Sequence, residues 1–519
     1  MLARFGWFLV VTAICLPVAV LATGVRLPGL DRPAGRPRPA SVTSGDVEMA
    51  WLHTSTNGTT WERFVSGLVR AQMAVPGLTV DDSNAFNETA SAVPEVVFSR
   101  EGRPGKLRVR WYKLTTDATT DHWVDALAGR DPAPVAVIGG GSSDRAADLA
   151  RALNRRKDWA GERPLLFITT ATADELEAGP DDAPGAARAP SRNLIDVYDD
   201  LSFRFCFTNR QMAEAVLDFA QQNPDLLATP SQQAFGAVAS GLSLHARLSE
   251  PPKVLSVVWK DDPFSTDLHD RFGDALRGKL PRDTWEVRYS IGSFATPNFY
   301  EARVAESILA VCRDHPARRI LLILPTVTTP ARRLLRAIVE GEPRLRDRLV
   351  VVTGDGIPVN AFTRDGEFAW PVHALPVPVV LFTHNDPVGW DSPGAAAPPG
   401  YELRPPNTTE EVLHFARLGR VIAEGVFGPP GEPPAGSAEL CRRLHARTPP
   451  FFEPSGERRG GSGEYVVVLR PNPPEPGPRT LPEATLDVYR RSSRRGWERV
   501  STLDIDQRRG RAPAPGGGS

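Results

Sequence analysis

The chain has 519 residues, with 61 Lys and Arg against 62 Asp and Glu, for a formal net charge of −1. That length holds about two to four domain-sized units with cores of their own, and 41% apolar with 24% charged residues is an ordinary globular composition. No domain-wide basic excess is present, which excludes nucleic acid as the main partner, because phosphate binding needs clustered cations.

In chain order, the first element is a leader. Arg4 precedes an almost unbroken apolar run over 5–22, and Val20 and Ala22 set small residues at the −3 and −1 positions of a signal-peptidase site. The run is also close to the ~18 apolar residues that span a bilayer. Residues 1–22 are therefore read as a signal peptide or a membrane anchor, which places the protein in the periplasm or on the outer face of the cytoplasmic membrane. The bulky Ile14 before Cys15 does not suit lipidation. Residues 23–46, rich in Pro, Arg and Gly, read as a tether, and 508–519 as a disordered tail. Cys15, Cys206, Cys312 and Cys441 form no CxxC pair, and without the leader three are left, so no disulfide framework is expected, although one bridge stays open.

Between tether and tail, short β-branched runs alternate with amphipathic ones. Strands are predicted at 47–52, 107–112, 135–138, 165–168, 254–259, 285–289, 320–324, 349–353 and 379–382, several of them continuously apolar, as in a parallel sheet covered on both faces. Helices are predicted at 145–153, 266–277, 300–313 and 409–423. Residues 80–94, 177–192 and 391–406 read as loops or insertions. Late strands are expected around 465–469 and 485–489. The alternation implies an α/β fold of two doubly wound parallel-sheet lobes joined by a hinge. Residues 47–205 and 372–460 are assigned to lobe 1, and 206–371 and 461–507 to lobe 2 and the C-terminal strands.

Several phrases in this order resemble the type I periplasmic binding proteins, the leucine/isoleucine/valine-binding receptors of ABC transporters. They are KLRVRWYKLTTD at 106–117, VAVIGGGSS at 135–143, PLLFITTAT at 164–172, LSFRFCFTNRQ at 201–211 and KVLSVVWKDDPF at 253–264. The likeness covers roughly 47–500. It departs in the first loop, HTSTNGTT at 53–60, which keeps only Gly58, and in a long segment at 77–106. The resemblance implies a small-molecule ligand bound between two lobes, with an ABC permease or a membrane sensor protein as partner. It also implies that Phe264 closes over the ligand.

Open α/β sheets hold ligands beyond the carboxyl ends of their strands. Ser142 and Ser143 follow one such end. Either hydroxyl can cap the next helix or, with that helix's free N–H groups, take a ligand carboxylate. Thr169, Thr170 and Thr172 follow the next strand and can bind a polar ligand or form a capping turn. Asp355 can meet a ligand amine or form an Asx-turn between its flanking glycines, and Thr59, Thr60 and Trp61 belong to the first loop, with Trp61 also a core candidate.

No cofactor is expected, since GGGSSD at 139–144 lacks the third glycine of a dinucleotide fingerprint. His53, His269, His315, His384 and His414 are scattered with no metal-binding spacing, and no GxSxG elbow is present. The expected function is an exported receptor that captures a small polar ligand, amino-acid-like or a small carboxylate or amide, for ABC-type uptake, and not an enzyme. A tethered sensor or ligand-free scaffold of the same fold is the alternative, and an exported enzyme using the cleft the third reading.

Overall fold

A computed structural model describes residues 37–505 except 57, 87–88, 90–91, 177–191, 199, 224–225, 227–251, 278–283, 290–298, 317, 364–368, 385–408, 447–463, 473–481 and 492–495. The leader at 1–22 and the loops read at 177–192 and 391–406 lie wholly or almost wholly outside the described residues.

The first lobe runs β1 (Val47–Thr54), α1 (Gly58–Ala71), β2 (Leu78–Asp81), β3 (Glu95–Arg100), β4 (Leu107–Leu114), α2 (Thr120–Ala128), β5 (Ala136–Gly139), α3 (Ser143–Arg155), β6 (Leu165–Ile168), the short pair β7 (Glu175–Leu176) and β8 (Arg192–Asn193), and β9 (Ser202–Arg204). Its sheet has the order β2-β3-β4-β1-β5-β6-β9, parallel from β4 onward, with β2 and β3 added antiparallel at one edge. The period of two along β1 shows why it is buried on both sides. Met49 and Trp51 face α1 and a late helix, while Ala50 and Leu52 face α2 and α3.

The second lobe follows with α4 (Asn209–Gln222), β10 (Lys253–Trp259), α5 (Pro263–Leu276), β11 (Thr284–Tyr289), α6 (Phe299–Asp314), β12 (Ile320–Ile323), α7 (Thr328–Gly341), β13 (Leu349–Val352), α8 (Asn360–Thr363) and β14 (Val379–Thr383). The chain then returns to the first lobe as α9 (Thr409–Val426) and α10 (Ser437–Ala446), and ends in the second as β15 (Tyr465–Pro471), β16 (Ala484–Arg491) and β17 (Trp497–Ile505). The second sheet is ordered β11-β10-β12-β13-β14-β15-β16-β17, its last three strands antiparallel. The runs ILLI of β12 and LVVV of β13 are buried throughout, as strands between two helix layers must be.

The chain passes between the sheets three times. The first passage, over 205–208, ends in a capping box: Thr208 Oγ1 accepts from the Gln211 N–H at 3.3 Å and Gln211 Oε1 from the Thr208 N–H at 2.9 Å. The other two run through 385–408 and 447–463, outside the described residues.

Two expectations are corrected. Residues 372–384, expected in lobe 1, carry β14, which pairs parallel with β13 and antiparallel with β15. Its VVLF run, buried on both faces, fits the interior of the second sheet. No strand is predicted at 78–81 or 95–100, yet β2 and β3 pair there on either side of the loop read at 80–94, of which only 80–81 is strand. Apart from Leu78, Val96 and Phe98 their side chains are half-exposed or exposed, so the pair gives little hydrophobic signal. Among the described residues Cys206, Cys312 and Cys441 form no disulfide, and Cys206 Sγ donates to the Ala171 carbonyl at 3.2 Å.

Candidate functional site

The carboxyl ends of β1, β5 and β6 in one lobe face the loops after β10, β13 and β14 in the other across a cleft of about 600 Å³. Among its lining residues are Thr60, Ser142, Ser143, Thr169, Thr170, Thr172, Phe264 and Asp355.

On the first lobe, the turn from β5 into α3 is built on glycines. Gly140 has φ +82°, a left-handed conformation costly for other residues. A Cβ on Gly141 would stand 2.5 Å from His53 Nε2. Ser142 occupies the N-cap position of α3, makes no side-chain capping bond and lines the cleft, as do Ser143, Asp144 and Arg145 of the first turn, whose N–H groups have no partner within the helix. Ser143 is buried, and its Oγ accepts from the Ala173 N–H at 3.2 Å. Thr169 Oγ1 donates to the Gly139 carbonyl at 3.3 Å and Thr170 Oγ1 to the Gly140 carbonyl at 3.1 Å. Three of the hydroxyls thus already hold the two loops together; Thr169 and Thr170 spend their O–H doing so and offer a ligand only lone pairs, whereas Ser143 spends a lone pair and keeps its O–H.

Thr60 lies in the first turn of α1 and lines the cleft, whereas Thr59 is exposed and is not among the lining residues. Trp61 is core: it is 2% exposed, its indole N–H donates to the Ala85 carbonyl at 2.7 Å, and its ring lies 5.0 Å from that of Trp51. The cause is helical geometry. Because α1 already starts at Gly58, adjacent side chains point about 100° apart, and Trp61 turns inward with Phe64 and Leu68.

On the second lobe, Asp262 caps α5 by accepting from the Phe264 N–H at 3.0 Å, with Pro263 at the first helical position, and this turn sets the Phe264 ring at the cleft. Burial pushes the Asp262 carboxyl up to about 6, and Asp144 across the gap pushes the same way. Asp355 follows β13, and its Oδ2 lies 2.8 Å from His384 Nε2.

Spacing alone missed the histidines. His53, His384 and His414 all line the cleft. His53, near the end of β1, stacks on Trp51 at 4.7 Å and is held neutral: burial first, then Arg145, brings its pKa down to about 4. His384 follows β14. The Phe207 N–H points at its Nδ1 from 3.4 Å, which leaves the proton on Nε2 for Asp355, so the network assigns this tautomer. His414, on α9, donates from Nε2 to the Thr169 carbonyl at 2.9 Å, and its ring centre is 5.9 Å from that of His384. The signal that finds His53 and His384 is position: each stands at the carboxyl end of an apolar strand. Arg145 lines the same wall, and Glu411 is paired with Arg63 at 2.6 Å.

Among the described residues, no group of three or more His, Cys, Asp or Glu is arranged to hold a metal ion. Nor is any described helix long and apolar enough to cross a membrane.

No family model and no curated protein matches the sequence. Solved structures match the fold. A leucine-, isoleucine-, valine-, threonine- and alanine-binding protein from Brucella ovis, in its closed conformation, is 11% identical with a TM-score of 0.52, over 88% of this chain and 95% of its own. A leucine binding protein from Thermotoga maritima is 14% identical with a TM-score of 0.46, over 88% and 99%. An ABC transporter solute-binding protein from R. palustris, in complex with 4-hydroxybenzoate, is 10% identical with a TM-score of 0.49, over 90% and 99%. At such identities the likeness is one of fold.

Proposed function

We propose that this chain, which has the two-lobed fold of the type I periplasmic binding proteins, is an exported receptor that captures a small polar ligand between its lobes. The observation that carries the reading is the cleft of about 600 Å³, walled by strand ends of both sheets. That volume lies within the roughly 300–1,000 Å³ of small-molecule sites. It also speaks against a scaffold whose gap is filled by its own side chains.

The lining suggests how a zwitterionic or hydroxylated carboxylate would be held. Its carboxylate takes the Ser142 hydroxyl and the N–H groups opening α3, where the helix dipole favours negative charge. Its amine or hydroxyl meets Asp355, oriented by His384. Phe264 and Phe415 supply apolar walls. The Brucella ovis protein, whose name records five amino-acid ligands, supports an amino-acid-like class. The leader at 1–22 supports export, and an ABC permease is the partner this reading supplies.

The test is a thermal-shift screen of the purified full chain against amino acids, their amides and small aliphatic and aromatic carboxylates. A ligand at ~100 times its dissociation constant adds roughly 2.7 kcal/mol of stability. A saturable shift with one class is expected; no shift across the panel at millimolar concentration counts against capture of such ligands.

A further inference from the structure

The loop carrying Thr169, Thr170 and Thr172 is anchored on both sides of the cleft. Within its own lobe, its threonines bond to the β5 turn, Ala173 N–H to Ser143, and the Ala173 carbonyl to Arg204 Nη2 at 2.8 Å. The next two residues turn to the other lobe. Asp267 of α5 accepts from the Asp174 N–H at 2.7 Å and from the Glu175 N–H at 3.1 Å. The same carboxylate accepts from Asn209 Nδ2 at 2.8 Å, at the start of α4, and from Arg271 Nε at 3.3 Å. Arg271 also crosses the gap, with Nη2 2.8 Å from Glu175 Oε1.

Asp267 is only 5% exposed. A buried carboxylate is tolerated where donors surround it, and two of these four donors belong to the opposite lobe. The contact therefore forms or breaks as a unit. Moving the lobes apart exposes the carboxylate and strips two backbone N–H groups of their acceptor at once. We propose that Asp267 is an interlobe latch, a positioning residue on the second lobe that holds the threonine loop of the first and thereby fixes how far apart the lobes stand. Its consequence for ligand capture, by way of Thr169–Thr172, rests on the receptor reading above; the latch itself does not.

Both readouts are taken on the ligand-free full chain, so a failed ligand screen and a failed latch are told apart. In Asp267→Ala, amide hydrogen exchange at Asp174 and Glu175 is expected to quicken roughly ten- to hundredfold, as loss of a charged acceptor implies, and the solution-scattering radius of gyration to rise. Exchange in β10 and β12, behind the latch, is expected to stay as in wild type. Asp274→Ala is the control: it removes another partner of Arg271 without touching the loop, and neither readout should move. If Asp267→Ala does not fold, Asp267→Asn carries the same test. A folded variant with unchanged exchange at Asp174 and Glu175, or with an unchanged radius of gyration, overturns the latch; a variant that only melts earlier marks Asp267 as ordinary structure.

Discussion

In the receptor reading proposed above, Asp355 and Ser142 are the side chains that would meet a ligand most directly. Ser142 makes no capping bond, and Asp355 is oriented by one imidazole. For any ligand found by the screen, Ser142→Ala and Asp355→Asn are each expected to weaken binding about ten- to hundredfold by calorimetry, the effect of losing a charge-assisted hydrogen bond. Wild-type affinity in both would place the ligand elsewhere. His53 makes a pH prediction. Its folded pKa of about 4 lies below its ordinary 6.5, so the folded state resists a proton that the unfolded chain accepts. The stability from this group is present above pH ~6.5 and lost as the pH falls towards ~4, about 3 kcal/mol in all. In urea unfolding, the lead of wild type over His53→Gln should shrink over that window, and a constant lead would contradict the assignment. A place on the cleft wall was legible where a side chain sits just beyond a strand, as Ser142, Thr170 and Asp355 do. It was not legible for Trp61, whose direction depends on where α1 starts, or for three histidines far apart in sequence that only tertiary folding brings to one cleft.

Elements were legible in proportion to their apolar periodicity. The buried strands β6 and β12 and the helices α3 and α6 stand within about a turn of their expected places, because continuous or 3.6-periodic burial leaves a plain pattern. The hairpin β2–β3 and the edge strand β17 left little pattern, since their side chains are largely half-exposed or exposed. The helix α1 hides behind a loop-like start, yet its contact with α9 is close-packed. A Cβ on Gly67 would stand 2.4 Å from Phe415 Cβ and 2.8 Å from the Ala416 backbone nitrogen. Gly67→Ala should force the two helices apart and cost about 1–3 kcal/mol in chemical denaturation. An unchanged midpoint would mean that the helices are not held this closely.

At the scale of the whole molecule, two lobes were legible because the strand–helix alternation runs in two blocks. The assignment of β14 was not, because an apolar strand carries no mark of which sheet it joins; its partners β13 and β15 decide it. The apolar run at 5–22, read as a leader, gives a prediction at this scale. Fractionation of cells expressing the untagged full chain should find it outside the cytoplasm, released or membrane-bound, and a wholly cytosolic protein would contradict export. The central claim is that one ligand touches both lobes. Amide hydrogen exchange with and without the strongest ligand of the screen tests it most directly. Protection is expected at once in 139–143 and 169–172 of the first lobe and in 262–265 and 354–357 of the second. Protection confined to one lobe, or lying away from the cleft, would contradict it.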